Sequence, residues 1–312
     1  MKYKIYKFKF NTAVHFGKKT LEDCEYTICA DTLFSALCHE AVKNGEEKIS
    51  ELVAMVRDNR VRISDAFPYI GKSFYIPKPM LKIQKELKHG DSEEKKAYKK
   101  LTYIPINLFN EYLKGELDVK AEKDKFSKQL GQKMLKVSVS IRGEEKTTPY
   151  RVGTYSFKEG SGLYIILAYE DEKDMEIIEE YLIGLSFAGI GGKRNSGLGR
   201  FELLPEKNIP DEFVSRLNFS NKGTYMTLSC ALPKENELPE IIENANYMLA
   251  KRSGFVASDT YSDEQLRKRD LYVMQSGSCF KEKFEGDIYD VSDNGRHAVY
   301  RYAKPLFLEV IS

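Results

Sequence analysis

The densest chemistry in the chain lies between Gly189 and Arg200. Gly189, Gly191, Gly192, Gly197 and Gly199 are interleaved there with Lys193, Arg194, Asn195, Ser196 and Arg200, and no acid interrupts them. Glycine lets a backbone approach a phosphate closely and turn its N–H groups inward as an anion nest, while Lys and Arg neutralise a polynucleotide backbone. A Walker loop is excluded, because Lys193 lacks the four-residue gap before it and the Ser or Thr after it. A dinucleotide fingerprint is excluded too, since that loop opens a helix and this one closes one. The competing reading is a surface loop with turn glycines.

Other reactive side chains are sparse. His15 precedes Phe16 and Gly17 beside a basic strand, and with Lys18 or Lys193 it has the residue types for base-catalysed RNA cleavage: a general base and a cation for the developing phosphorane charge. A structural or base-stacking histidine is the other reading. His39 is placed on a helix face with Thr32 and Ser35, and His89 and His297 carry no motif. Cys24, Cys29, Cys38, Cys230 and Cys279 form no CxxC pair, and their odd number argues against a disulfide framework and for a reducing, cytoplasmic compartment. No histidine pairs with them at zinc-ligand spacing, and no carboxylates cluster as in two-metal nucleases, so neither metal nor cofactor is expected.

Composition bounds the partner. The 312 residues are 42% apolar and 31% charged with a net charge of +2, an ordinary globular balance with room for about two domains. The charge is segregated. Residues 1 to 19 hold six lysines and no acid, Arg267, Lys268 and Arg269 are consecutive, and acids gather between Glu170 and Glu180. Such separation leaves room for a polyanion-binding face, with a merely solvated surface as the alternative. Uncharged apolar runs such as Leu163 to Tyr169 are too short to span a bilayer, and Lys2 to Phe10 reads as a strand rather than a signal peptide.

The elements that position these residues follow from periodicity. Lys2 to Phe10 alternates with a phase change between Ile5 and Tyr6, which a β-bulge would absorb. Asp31 offers an N-cap to a helix carrying Leu33, Phe34, Leu37, Cys38 and Ala41, with Asn44-Gly45 as its stop. Leu163 to Tyr169 reads as a buried strand, Asp174 as the cap of a second helix with Ile177, Ile178, Tyr181, Leu182 and Leu185, and Phe201 and Leu203 as a closing strand. Strand, helix, strands, helix, strand is the ferredoxin-like βαββαβ order of RRM-like domains. The fold class is α+β, with residues 1–204 as the first domain.

Within that pattern, about 78–150 is a long insertion, with fifteen lysines against nine acids between Lys78 and Lys136. It reads as a protruding arm without its own core, and Tyr98, Tyr103, Phe109, Tyr112 and Phe126 in it as base-stacking rings or local packing. Residues 205–223, with Pro205, Pro210, Asn218, Asn221 and Gly223, read as a linker. A second domain, 224–312, starts with Met226, Leu228, Cys230 and Leu232 alternating. A helix at Pro239 carries Ile241, Ile242 and Ala245 on one face, and strands follow at Leu271–Gln275, Asp287–Val291 and Lys304–Ile311.

The glycine-rich loop, placed after the second helix, resembles that of the RAMP superfamily of CRISPR RNA-binding proteins. His15-Phe16-Gly17, Asp31-Thr32-Leu33-Phe34-Ser35-Ala36-Leu37, Lys251-Arg252-Ser253-Gly254-Phe255-Val256, Ser276-Gly277-Ser278, Gly286-Asp287-Ile288 and Val299-Tyr300-Arg301-Tyr302 are similar to the family of fourth subunits of the type III-A Csm effector. The resemblance spans most of the chain but not the insertion. It implies two tandem RAMP domains and a non-catalytic subunit of an antiviral complex that grips the 5′ tag of the CRISPR guide RNA. It implies contacts with the large polymerase-like subunit and the adjacent backbone subunit, and an insertion that acts as a thumb at the tag-to-guide boundary. RNA contacts are then expected at His15, Gly17, Lys18, Ser35, Gly189, Gly191, Gly192, Lys193, Arg194, Asn195, Ser196, Gly197, Arg200, Lys251 and Arg252. The second domain lacks an equally dense loop, with only Gly277 and Gly286. The alternative is a metal-independent RAMP endoribonuclease that processes repeat RNA with His15 as general base.

Overall fold

The computed structural model describes residues 1–82, 92–140, 148–218 and 223–311. His89, Asn221 and most of the charged run before Ala97 lie outside the described residues or have undescribed side chains.

The first strand, Lys2–Phe10, lies between the closing strand Phe201–Pro205 and the central strand Ser161–Tyr169. Beyond the central strand the antiparallel sheet continues through Phe67–Ile70, Ser73–Pro77 and Tyr103–Pro105, and Val61–Ile63 pairs with the far end of the central strand. Strand–helix–strands–helix–strand connectivity is therefore present in the first half. All nine residues of the central strand are buried, so the sheet is covered on both faces.

That coverage corrects the bulge. The pairing from Lys2 opposite Tyr169 to Phe8 opposite Leu163 runs without a slip. Tyr6 and Phe8 enter the core beneath the helices Ala30–Ala41 and Glu172–Ala188, whereas Ile5 enters the opposite core with Tyr164, Ile166, Phe109 and Leu308. The phase change marks a strand buried on both sides rather than an extra residue.

Neither predicted cap is the observed one. Cys29 occupies the N-cap of the first helix without a side-chain cap bond, and Asp31 is drawn elsewhere. The second helix is capped by Asp171, whose carboxylate accepts from the Lys173 amide, while both carboxylate oxygens of Asp174 accept from Arg60 Nη1 at 2.6 Å. A helix absent from the sequence reading, Glu47–Arg57, follows the turn at Gly45.

The insertion is only partly an arm. Ile104, Ile106, Phe109, Tyr112, Leu117 and Val119 are buried in the second core, and Tyr103 and Phe126 stack on one another, so these rings serve packing. What protrudes is a hairpin, Gly131–Ser140 paired with Thr148–Phe157. Met134, Leu135, Val137 and Val139 on it are each more than half exposed. The 205–223 segment is not a bare linker either: it holds the helix Asp211–Leu217, whose Phe213 is fully buried beside Phe74 and Tyr164.

The C-terminal unit has a three-stranded sheet, Cys279–Phe280, Thr224–Thr227 and Phe307–Ile311, and two hairpins, Leu249–Arg252 with Leu271–Met274 and Asp287–Asp290 with Tyr300–Ala303. The helix after Glu237 lasts five residues, Leu238–Ile242, with Ile241 buried but Ile242 exposed. Among the described residues no other helix belongs to this unit, so a second complete βαββαβ set is not traced there.

Candidate nucleic-acid interface

The glycine-rich loop folds back on the segment that follows the first strand. The Gly192 amide donates to the His15 carbonyl at 2.8 Å, Gly199 to Ala13 at 3.0 Å, and Ile190 to Gly199 at 3.0 Å. A short 3₁₀ turn, Arg194–Ser196, forms the tip, with Lys193 in the left-handed region before it. Two glycines are required by this closure alone. A Cβ on Gly199, at φ +80, would sit 2.1 Å from the Ile190 carbonyl oxygen, and one on Gly191, at φ +97, would lie 2.7 Å from the His15 carbonyl oxygen. Much of the anticipated anion nest is thus spent on internal hydrogen bonds. What remains outward is a cationic and polar rim: Asn195, Ser196 and Arg200 are exposed, and Lys193 and Arg194 half-exposed.

His15 is buried, with Nδ1 2.6 Å from the Gly153 carbonyl oxygen, the geometry of an N–H donor to that oxygen. Gly153 belongs to the protruding hairpin, which is stitched to the same segment by reciprocal Val14 and Tyr155 amide bonds at 2.8 and 2.9 Å. Lys193 Nζ stands 5.0 Å from the Tyr150 ring centre on that hairpin. Loop, His15 segment and hairpin base therefore form one continuous surface. Gly17 is exposed on it.

The other predicted contacts are distributed differently. Lys18 is ion-paired with Glu25. Lys2, Lys4, Lys7 and Lys9 pair with Glu172, Glu179, Glu206 and Glu202, so with Lys18 five of the six N-terminal lysines are neutralised by acids from neighbouring elements. Lys251 pairs with Asp270 at 2.7 Å. Arg252 is bound by Asp31, with Nε at 2.8 Å and Nη2 at 2.7 Å, which makes it a clasp between the halves of the chain rather than an open cation. Arg301 donates to the same carboxylate. Burial pushes the Asp31 carboxyl up, but the two guanidinium groups outweigh it and hold it below the usual carboxylate range.

Ser35 faces a cavity of about 260 Å³ shared with Cys38, His39, Ser258, Lys268 and His297. Burial, then the nearby Arg194 and Lys268 charges, lower the His39 pKa and favour its neutral form. Two aromatic residues escaped the sequence reading. Tyr150 lies under Lys193, and Phe187 is 75% exposed at the end of the helix leading into the loop. Phe187 falls outside the apolar spacing of its own helix, which was the available signal.

The sheet, its two helices and the loop are those of a recognised class: a model of the RAMP superfamily matches residues 7–202. A second model, the CRISPR Csm4 C-terminal domain, matches residues 220–310. The Csm4 protein of Mycobacterium tuberculosis strain H37Rv is 37% identical over 310 residues, covering 99% of this chain and 98% of that protein. Csm4 of Streptococcus thermophilus is 34% identical over 321 residues, with 99% of each covered. The chain belongs to the Csm4 family of the RAMP superfamily. Among solved structures, a Csm3–Csm4 subcomplex of the type III-A interference complex matches with a TM-score of 0.68 at 21% identity, covering 98% of this chain and 99% of that one. A Csm1–Csm4 cassette with AMPPNP matches at 0.58 and 19% identity, covering 99% and 98%. These two likenesses concern the fold. No helix among the described residues is long and apolar enough to cross a membrane.

Proposed function

We propose that this chain is a non-catalytic, cytoplasmic RNA-binding subunit of a Csm effector complex, holding the 5′ tag of the guide RNA and joining the large subunit to the backbone. Its first sheet is read as a ferredoxin-like RAMP domain that presents the loop, and the C-terminal unit as its smaller companion. The observation that carries the proposal is the joint surface of loop, His15 segment and hairpin base. Among the described residues Lys193, Arg194 and Arg200 of the loop are in no ion pair, nor are the exposed Lys133, Lys136 and Arg151 of the hairpin, whereas the lysines of the first strand are neutralised by glutamates. Unpaired cations gathered on one surface suit a phosphate backbone. The Csm3–Csm4 and Csm1–Csm4 assemblies support the two protein contacts by family membership. Burial of His15 and its hydrogen bond to Gly153 support a packing role rather than proton transfer at an RNA 2′-OH.

The test is binding of a tag-sequence RNA at several salt concentrations. Replacing Lys193 and Arg194 by Ala should weaken binding and lower the log–log salt slope by about 1.4, the value for two phosphate contacts on single-stranded RNA. An unchanged slope removes the loop from the site.

A further inference from the structure

Three distant segments meet where the first domain touches the C-terminal unit. Cys29 precedes the first helix, Asp65 lies in the turn after Val61–Ile63, and Cys230 follows the strand Thr224–Thr227. The two Sγ atoms and a carboxylate oxygen of Asp65 all lie within 4.8 Å of one another. Asp65 and Cys230 are buried and Cys29 is half-buried. The carboxylate is held in place by two amides, Ala30 N at 2.7 Å and Cys230 N at 3.0 Å, both donating to Oδ1. The surrounding backbone is fastened in the same way, with the Asp65 amide on the Leu228 carbonyl at 2.8 Å and Ala66 on Ile28 at 2.7 Å.

From this convergence we infer that Cys29, Cys230 and Asp65 form a binding site for a thiophilic divalent cation of the zinc class, stapling the two halves of the chain. Two thiolates, one carboxylate and a water supply the four positions such a cation favours, and the mixed sulfur–oxygen set selects against calcium and magnesium. Tetrahedral arms of about 2.0–2.3 Å place donors roughly 3.3–3.8 Å apart. The group must contract by about 1 Å, within reach of cysteine rotamer adjustment. Binding expels the two thiol protons to solvent and forms two metal–sulfur bonds with no change of oxidation state. Two thiolates and a carboxylate around a divalent ion leave one negative charge. The amide bonds on Asp65 orient a ligand as outer-shell partners do. Half-exposed Cys29 supplies the access route. Linear spacing conceals the set, because its two cysteines lie in different domains.

The experiment uses the full chain, reduced and stripped with a chelator, titrated with Co²⁺ and then Zn²⁺. The expected result is a near-ultraviolet thiolate-to-cobalt charge-transfer band that saturates at one equivalent, is displaced by zinc, and accompanies a rise in melting temperature. Cys29→Ser should weaken cobalt binding at least about tenfold and diminish the band. Cys38→Ser, on the same helix but outside the set, should leave both intact. Absence of a thiolate band in the wild-type chain overturns the proposal whether or not the variants fold. So does a band unchanged in Cys29→Ser, or a Cys29–Cys230 disulfide forming in place of metal uptake.

Discussion

Asp31 is the residue on which the two halves of the protein depend electrostatically. Its side chain is 1% exposed, and it receives Arg301, 8% exposed, and Arg252, 25% exposed. Asp31→Ala leaves one guanidinium almost wholly buried without a counter-charge, and the Nε of Arg301 already has no hydrogen-bond partner among the described residues. Breaking a buried pair from one side costs about 3–5 kcal/mol, because the surviving charge stays desolvated. Against a total stability of about 5–15 kcal/mol, that is a large fraction. The assay is urea unfolding at pH 7 of the wild type, Asp31→Ala, Arg301→Met and the double variant. The double variant should recover part of the loss, because the more deeply buried Arg301 charge is gone and Met fills similar volume, while Arg252, 25% exposed, still lacks its partner. Arg252→Ala should cost less than Arg301→Ala, since its head is better solvated. An Asp31→Ala variant within about 1 kcal/mol of wild type, or a double variant that merely adds the two losses, would refute the clasp.

Other outcomes follow from single sites. Lys304 is 1% exposed with Nζ 3.1 Å from the Arg57 carbonyl oxygen, and burial, aided by Arg62, lowers its pKa to about 8. The unfolded lysine keeps its proton to about 10.4, so the folded state is penalised below pH 8 and regains stability as pH rises from 8 towards 10. Lys304→Met should therefore stabilise by about 1–3 kcal/mol at pH 7, with the gain shrinking by pH 10; calorimetry showing a loss at pH 7 counts against this. Gly199→Val should cost about 2–4 kcal/mol in unfolding experiments, because both its φ and its contact with Ile190 forbid a side chain. His15→Ala should lose about 1–3 kcal/mol, and neither it nor the wild type should cut repeat RNA in EDTA. Metal-free cleavage that depends on His15 and leaves 2′,3′-cyclic phosphate would replace the binding reading with the endoribonuclease one. Leu135→Lys with Val137→Lys should make the isolated chain more monodisperse in light scattering while weakening its co-purification with other effector subunits.

Local periodicity carried most of the first domain. The first strand, both helices, the buried central strand and the loop between helix and strand were readable, because each buries a stripe or face that the sequence repeats at its own period. What failed was tertiary in origin. The phase change at Ile5-Tyr6 imitates a bulge because the sequence does not say that both sheet faces are covered. Asp31 and Asp174 have the right residue type for caps, yet Arg301, Arg252 and Arg60 compete for them from distant segments. The lysines of the first strand looked like a polyanion face because their glutamate partners lie about 170–200 residues away. Pro210 and its neighbours suggested a linker, but Phe213 and Leu217 in the same stretch were the signal that it packs.

The loop illustrates how one set of residues serves two requirements that different substitutions separate. Its glycines are explained by closure against Ala13, His15 and Ile190, without reference to any ligand. A glycine variant that loses RNA binding therefore says little, because the platform itself is damaged. Lys193, Arg194 and Arg200 are different: none is in an ion pair among the described residues, and the contact of Lys193 with the Tyr150 ring leaves the positive charge in place. Neutralising them leaves the loop's hydrogen bonds intact and removes only the long-range attraction. The two classes must then diverge in their dependence on salt. Cation variants should approach wild-type binding at high salt, where screening removes what they lack. Glycine variants should remain weaker at every salt concentration, since misplacement of the rim is not a screened quantity. Convergence of both classes at high salt would mean that the glycines act through charge placement alone and that the loop does not need its shape.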